Sequence, residues 1–127
     1  MMHKDTVRWI LRFFEADGGF KSTFSDVWCT YTAVKTLSSL NSRPRDPEKC
    51  TEFLLRNQNP DGGFGWKVGA YSDVWSTHYT VEALTELGFD DISILERACE
   101  WVQKCYSDNP SPIQLFKFPL ISPNILK

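Results

Sequence analysis

Asp61-Gly62-Gly63-Phe64, followed by Ser72-Asp73-Val74-Trp75 and an apolar run ending at Leu87, decides how this chain is read, because it repeats an earlier passage. Asp17-Gly18-Gly19-Phe20 leads in the same way to Ser25-Asp26-Val27-Trp28 and a run ending at Leu40. Identical residues in matching order mark an internal repeat. Its unit of about 45 residues is the length of a stacked helix pair. The copies differ in one place. Four residues separate Phe20 from Ser25, whereas seven separate Phe64 from Ser72, so the second copy carries the longer loop.

Helical spacing fills in the rest. Val7, Ile10, Leu11 and Phe14 form an apolar stripe, which predicts a first helix over about 5–15 that Asp17-Gly18-Gly19 closes. Ser25 or Asp26 caps a second helix, whose buried side is Val27, Tyr31, Ala33, Val34, Leu37 and Leu40. A third helix opens at Pro47 and turns Cys50, Phe53 and Leu54 inward. A fourth runs from about Asp73 to Leu87 and stops at Gly88. Asp90 or Asp91 caps a fifth, with Ala98, Trp101, Val102 and Cys105 on one face. This divides the chain into repeat 1 over about 5–41, repeat 2 over about 47–88, a truncated repeat 3 over about 91–107, and a tail over 108–127. Pro112, Pro119 and Pro123 exclude a long helix from the tail. Ile113, Leu115 and Phe116 make it too apolar for a solvated one, so extended chain laid on an apolar groove is expected.

Composition narrows the function classes. The chain has 127 residues, one domain or a piece of one, with a net charge of -2 and no basic block. Nucleic acid is therefore not an expected partner, since phosphate binding needs clustered positive charge. No stretch reaches the length of a membrane span. Met1-Met2-His3-Lys4-Asp5 lacks the layout of a secretory leader, and the expected location is the cytosol. Cys29, Cys50, Cys99 and Cys105 form no Cys-x-x-Cys pair and read as reduced thiols, with Cys50 and Cys99 at apolar helical positions. Five Trp, nine Phe and four Tyr are many for this length. They serve the core, a ligand surface, or both.

Gln58, Asp61-Gly62-Gly63-Phe64, Asp73, Thr77-His78-Tyr79 and Ala83-Leu84 resemble the prenyltransferase and squalene-oxidase repeat of protein prenyltransferase β subunits and triterpene cyclases. The first copy keeps Asp17 to Phe20, Asp26 and Thr30-Tyr31, with Phe14 where the family has Gln. The resemblance spans about residues 5–105. It implies an all-α fold, an α/α toroid arc of about two and a half helical hairpins with an extended C-terminal segment, whose concave face holds an isoprenoid chain. It further implies that a second copy or a partner chain completes the ring.

Trp28, Tyr31, Trp75 and Tyr79, near the starts of the inner helices, are the candidate ligand-binding residues. Packing between hairpins is the alternative use of these rings. The family's catalytic zinc needs a Cys two residues after the Asp and a His three residues after the matching Asp of a later repeat. Here Trp28 and Trp75 stand at the first of these positions, Cys29 and Ser76 at the second. Asp26 and Asp73 therefore read as helix caps, and no metal and no cofactor is expected. Asp26, Cys29 and Asp73 are the one set from which an unusual zinc site would have to be built. The Asp-x-Asp-Asp acid of the cyclases is missing; Asp90-Asp91 is the only acidic pair and reads as a cap. Lys21 and Lys67 are the lysines nearest to where a diphosphate would lie, or simply solvated side chains. Two function classes remain. The resemblance favours an enzyme of the isoprenoid class, a prenyltransferase or terpenoid-cyclase relative. The missing ligands and acid favour a non-catalytic module that binds a protein or lipid, or assembles.

Overall fold

The computed structural model describes residues 2–21 and 25–107. The expected tail over 108–127 lies outside the described residues. Five helices follow one another: α1 (Met2–Leu11), α2 (Val27–Ser39), α3 (Pro47–Leu55), α4 (Val74–Glu86) and α5 (Ile92–Ser107). Between α1 and α2 lie two two-residue strands, β1 (Phe20–Lys21) and β2 (Ser25–Asp26), paired antiparallel. The all-α expectation thus holds apart from this short ribbon. It forms because Phe20 faces Asp26 across the loop while the cap residue Asp26 is still extended, at φ -143° and ψ 165°.

Helices α2 and α4 are the central pair and pack chiefly against each other, while α1, α3 and α5 flank them. Val27, Val34 and Leu37 of α2, and Ala83 and Leu84 of α4, are buried in one core with Phe53 and Leu54 of α3.

The repeat is reproduced bond for bond. Asp17 Oδ1 accepts from Gly19 N at 2.9 Å and from Ser25 Oγ at 2.9 Å; Asp61 Oδ1 accepts from Gly63 N at 3.0 Å and from Ser72 Oγ at 2.7 Å. Phe20 N donates to Thr30 Oγ1, and Phe64 N to Thr77 Oγ1, both at 2.9 Å. Each of these threonines is fully buried, so its hydroxyl satisfies a backbone N–H that water cannot reach. Phe14 bridges to Phe20 as Gln58 bridges to Phe64, so the backbone bridge is kept without Gln, whose side chain in the second copy also donates to Gly62 O at 3.0 Å.

That bridge also ends α1 early. The helix stops at Leu11, not near Glu15, because Phe13 N and Phe14 N turn back to the carbonyls of Ile10 and Leu11 and free Phe14 for the loop. The other helix ends follow the sequence. Ser42 N reaches Leu37 O past Asn41 at φ 56°, and Phe89 N reaches Leu84 O past Gly88 at φ 84°, each closing its helix through a left-handed residue.

Each glycine loop is the seat of the next flanking helix. Gly18 has φ 93°, and a Cβ there would lie 2.1 Å from Lys49 O of α3. Gly62 has φ 97°, and its Cβ would lie 2.6 Å from Arg97 O of α5. Beside them, Gly19 lies against the Phe53 ring and Gly63 against Trp101. Arg56 donates to Asp17 O at 2.7 Å and Arg97 to Pro60 O at 2.9 Å, fastening each helix to its loop.

No disulfide links the cysteines. Cys50 is buried as expected, but Cys99 is exposed and Cys105 half-buried, because α5 has no further helix packed over it among the described residues. Burial pushes the Cys50 thiol up to about 12, with Asp17 and Asp46 adding to the shift. A thiol reagent at mildly alkaline pH should therefore label Cys99 at once and Cys50 only on unfolding; rapid labelling of Cys50 in folded protein would contradict this packing.

Gly18 and Gly88 share a positive φ but not their surroundings, since nothing lies within 4 Å of a Cβ at Gly88. Gly88→Ala should cost about 1 kcal/mol, the backbone term alone. Gly18→Ala should cost severalfold more, because α3 must shift. Denaturant unfolding of the two variants checks this, and equal losses would show that the loop does not seat the helix.

Candidate functional site

The two caps aim the aromatic residues. Asp26 Oδ1 accepts from Cys29 N, and Asp73 Oδ1 from Ser76 N, both at 2.7 Å. These bonds start α2 and α4 at Val27 and Val74, so Trp28 and Trp75 occupy the second position of each helix. Val27 turns into the core and is fully buried, Val74 is half-buried, and the tryptophans turn outward, Trp28 38% and Trp75 43% exposed.

The central pair then assembles all four candidate rings. Trp28, Tyr31, Trp75 and Tyr79, with Thr32, line a cavity of about 290 Å³. Tyr31 and Tyr79 stack with centroids 4.6 Å apart and planes 22° from parallel. Trp75 meets Tyr79 edge-on at 6.2 Å. Trp28 Nε1 donates to Ser76 Oγ at 3.2 Å, tying the first repeat to the second. The rings are packing residues that keep one open side. They pack α2 on α4 and also leave apolar faces in the cavity.

One ring was not expected there. Trp66, in the longer second loop, lies 6.0 Å from Trp28, and its carbonyl accepts from Val27 N at 2.7 Å. This contact places both glycine loops at the same end of the pair. The extra residues fold back through Gly65, whose Cβ would collide with Ala70 O at 2.3 Å, and Gly69, at φ 87°. The legible signal was the length of the loop and the Trp within it.

Away from the rings the face becomes polar. Lys35 of α2 donates to Glu86 at 2.8 Å and lies 3.4 Å from Glu82, while Ser38 Oγ donates to Glu86 at 2.6 Å. Hydrogen bonding to Glu86 raises the Lys35 ammonium, and the bonds from Lys35 and then Ser38 lower the Glu86 carboxyl. Glu86 therefore keeps this link above the ordinary carboxylate range and loses it as the pH falls through its lowered value.

The remaining candidates are committed elsewhere. Asp26, Cys29 and Asp73 do not gather into a site: among the described residues no three His, Cys, Asp or Glu side chains come together to hold a metal. Asp91 accepts from Ser93 Oγ at 2.7 Å and from Ser93 N at 3.1 Å, and the hydroxyl bond is the main cause of its lowered carboxyl. It works as the cap expected of it. Lys21 pairs with Glu15 at 2.5 Å, and Lys67 sits 5.2 Å above the Trp66 ring. Neither lysine lines the aromatic cavity.

The family model of the prenyltransferase alpha-alpha toroid domain matches residues 1–110. The chain belongs to that family. A search of curated proteins found no match. Toroid membership agrees with the paired flanking and central helices and with the Asp-Gly-Gly-Phe loops that join them. Among the described residues no helix is long and apolar enough to cross a membrane.

Cap and metal ligand are separable roles for the two aspartates of this toroid domain. Asp73→Ala should lower stability by about 1–2 kcal/mol through loss of the cap. The unfolding midpoint of either protein should not respond to a chelator. A midpoint that falls on chelation in the native chain, and not in Asp73→Ala, would assign the carboxylate to a metal instead.

Proposed function

We propose that this chain is an isoprenoid-binding member of the toroid family whose aromatic cavity takes a linear apolar chain. The observation that carries the reading is the gathering of Trp28, Tyr31, Trp75 and Tyr79 around one cavity lined by no charged residue. Apolar walls with a few polar groups suit a greasy ligand, and aromatic rings add contact area at low entropic cost. Thr32 is the polar group at this wall. The chain alone does not carry out prenyl transfer in this reading, because Trp28, Trp75 and Ser76 stand where the family pattern needs Cys and His. Further repeats, from a second copy or a partner chain in the cytosol, complete the ring and deepen the cavity.

A second reading rests on the exposure of Trp75 at the edge of the central pair. In it the same face is a protein-interaction or assembly surface and the cavity is a gap between packed rings.

Fluorescence titration with ten-carbon and twenty-carbon prenyl alcohols separates the two. Affinity should rise with length, since each buried methylene contributes about 0.8 kcal/mol. It should not depend on a diphosphate head, as no lysine or arginine lines the cavity. Trp75→Ala should weaken binding directly, and Trp66→Ala should weaken it less, by releasing Trp28. Equal affinity for both lengths, or binding untouched by Trp75→Ala, would leave the protein-interaction reading.

A further inference from the structure

The repeat specifies what can continue it. The shift that carries Asp26 onto Asp73 also carries Trp28 onto Trp75, Tyr31 onto His78 and Lys35 onto Glu82. By the same shift Cys29 falls on Ser76 and Thr32 on Tyr79. Within the chain, α2 meets α4 through three linked contacts: Trp28 to Ser76, Tyr31 on Tyr79, and Lys35 to Glu82. Applied once more, the shift pairs Trp75 of one molecule with Cys29 of the next, His78 with Thr32, and Glu82 with Lys35. The last pair is again of opposite charge, but it draws on the same two side chains that already meet within each molecule, so the new contact rests on Trp75 and His78.

Both surfaces this needs are present. At one edge Trp75 is 43% exposed, and His78 is exposed one turn further on. At the other edge Cys29, Thr32, Ala33 and Thr36 of α2 form one wall of an apolar groove of about 420 Å³. These are the α2 counterparts of Ser76, Tyr79, Thr80 and Ala83, the side of α4 that α2 covers. The facing wall is Thr6, Trp9, Ile10 and Phe13, on α1 and just past it, so the α2 wall is open to a further helix once α1 moves aside.

We propose that the Trp75 edge of one molecule docks into the α2 groove of a second copy of this chain, repeating the α2–α4 interface between molecules. The docking is head-to-tail, so it extends from copy to copy. At each junction α5 of the first copy and α1 of the second contend for one flanking seat. Helix α5 is fastened by Arg97 to Pro60 O and by Trp101 against Gly63, whereas Ile10 is the one buried residue of α1 among those described. Helix α1 is the one that yields. The proposal is independent of the ligand reading, because the association is measured with no ligand added.

Sedimentation velocity on the full chain, from micromolar to hundreds of micromolar, should show oligomers that grow with concentration. Thr32→Arg blocks the groove and Trp75→Arg blocks the edge; both residues are exposed, so the helical circular dichroism should be retained. Thr32→Glu serves as a second groove variant. Each variant alone should be monomeric. Mixed in equal amounts, the groove variant and the edge variant still share one intact pair of surfaces, so they should form a 1:1 dimer and stop there. A native chain that stays monomeric at the highest concentration would overturn the proposal. So would a mixture that gives no dimer, or variants that associate as the native chain does.

Discussion

The structure hangs on the contact between a glycine and the carbonyl of the helix that follows. At Gly18 and Gly62 the next flanking helix comes so close that its backbone oxygen occupies the space a side chain would need. Everything around that contact adjusts to permit it. Asp17 and Asp61 accept from the following glycine N–H and from a serine across the loop, which fixes the turn. Thr30 and Thr77 satisfy the N–H of the phenylalanine that the turn drives inward. The buried Phe20 and Phe64 then wedge each loop against its central helix. A flanking helix in such a seat has one position along its axis, because a slip would bring side chains onto the glycines. The loops thus set where α3 and α5 sit, and the α2–α4 pair follows.

Most of this was legible because it is local. Gly88 at a helix end, Asp26 and Asp73 before a helix and Pro47 at a first helical turn each act within a few residues and were read in place, whereas Gly18 was read as closing α1, which ends earlier at Leu11. What escaped was set by distance. The early end of α1 depends on Phe14 pairing across the loop with Phe20, and no helical periodicity encodes that bridge. The exposure of Cys99 depends on what packs over α5, not on its apolar neighbours. Trp66 reads as a loop residue until the fold brings Val27, from the other repeat, to its carbonyl. The four candidate rings were legible for a different reason. Their places relative to Asp26 and Asp73 fix them in the first turns of two parallel helices in contact, although the contacts join positions one residue out of register, Tyr31 on Tyr79 and Trp28 to Ser76.

Trp28 shows why core and ligand readings of such rings are hard to separate from sequence. It donates a hydrogen bond to Ser76, faces Trp66, and borders both the aromatic cavity and the groove along α2. A residue at a repeat junction has a covered side and an open side by construction. The covered side is structural. The open side presents whatever chemistry the sequence puts there, and here it is aromatic on both repeats.

The same logic accounts for the absence of charge at the cavity. Lys35, Glu82 and Glu86 lie further along the central pair than the rings and compensate one another there. An uncompensated lysine among the rings would have to stay hydrated, and its water would occupy the space between α2 and α4 that the tyrosine stack fills. Stacking Tyr31 on Tyr79 therefore leaves this point of the pair lined by rings, with the charged side chains set further along. A repeat that uses rings to join its helices makes a greasy surface as a by-product, and the surface persists wherever the next repeat does not cover it.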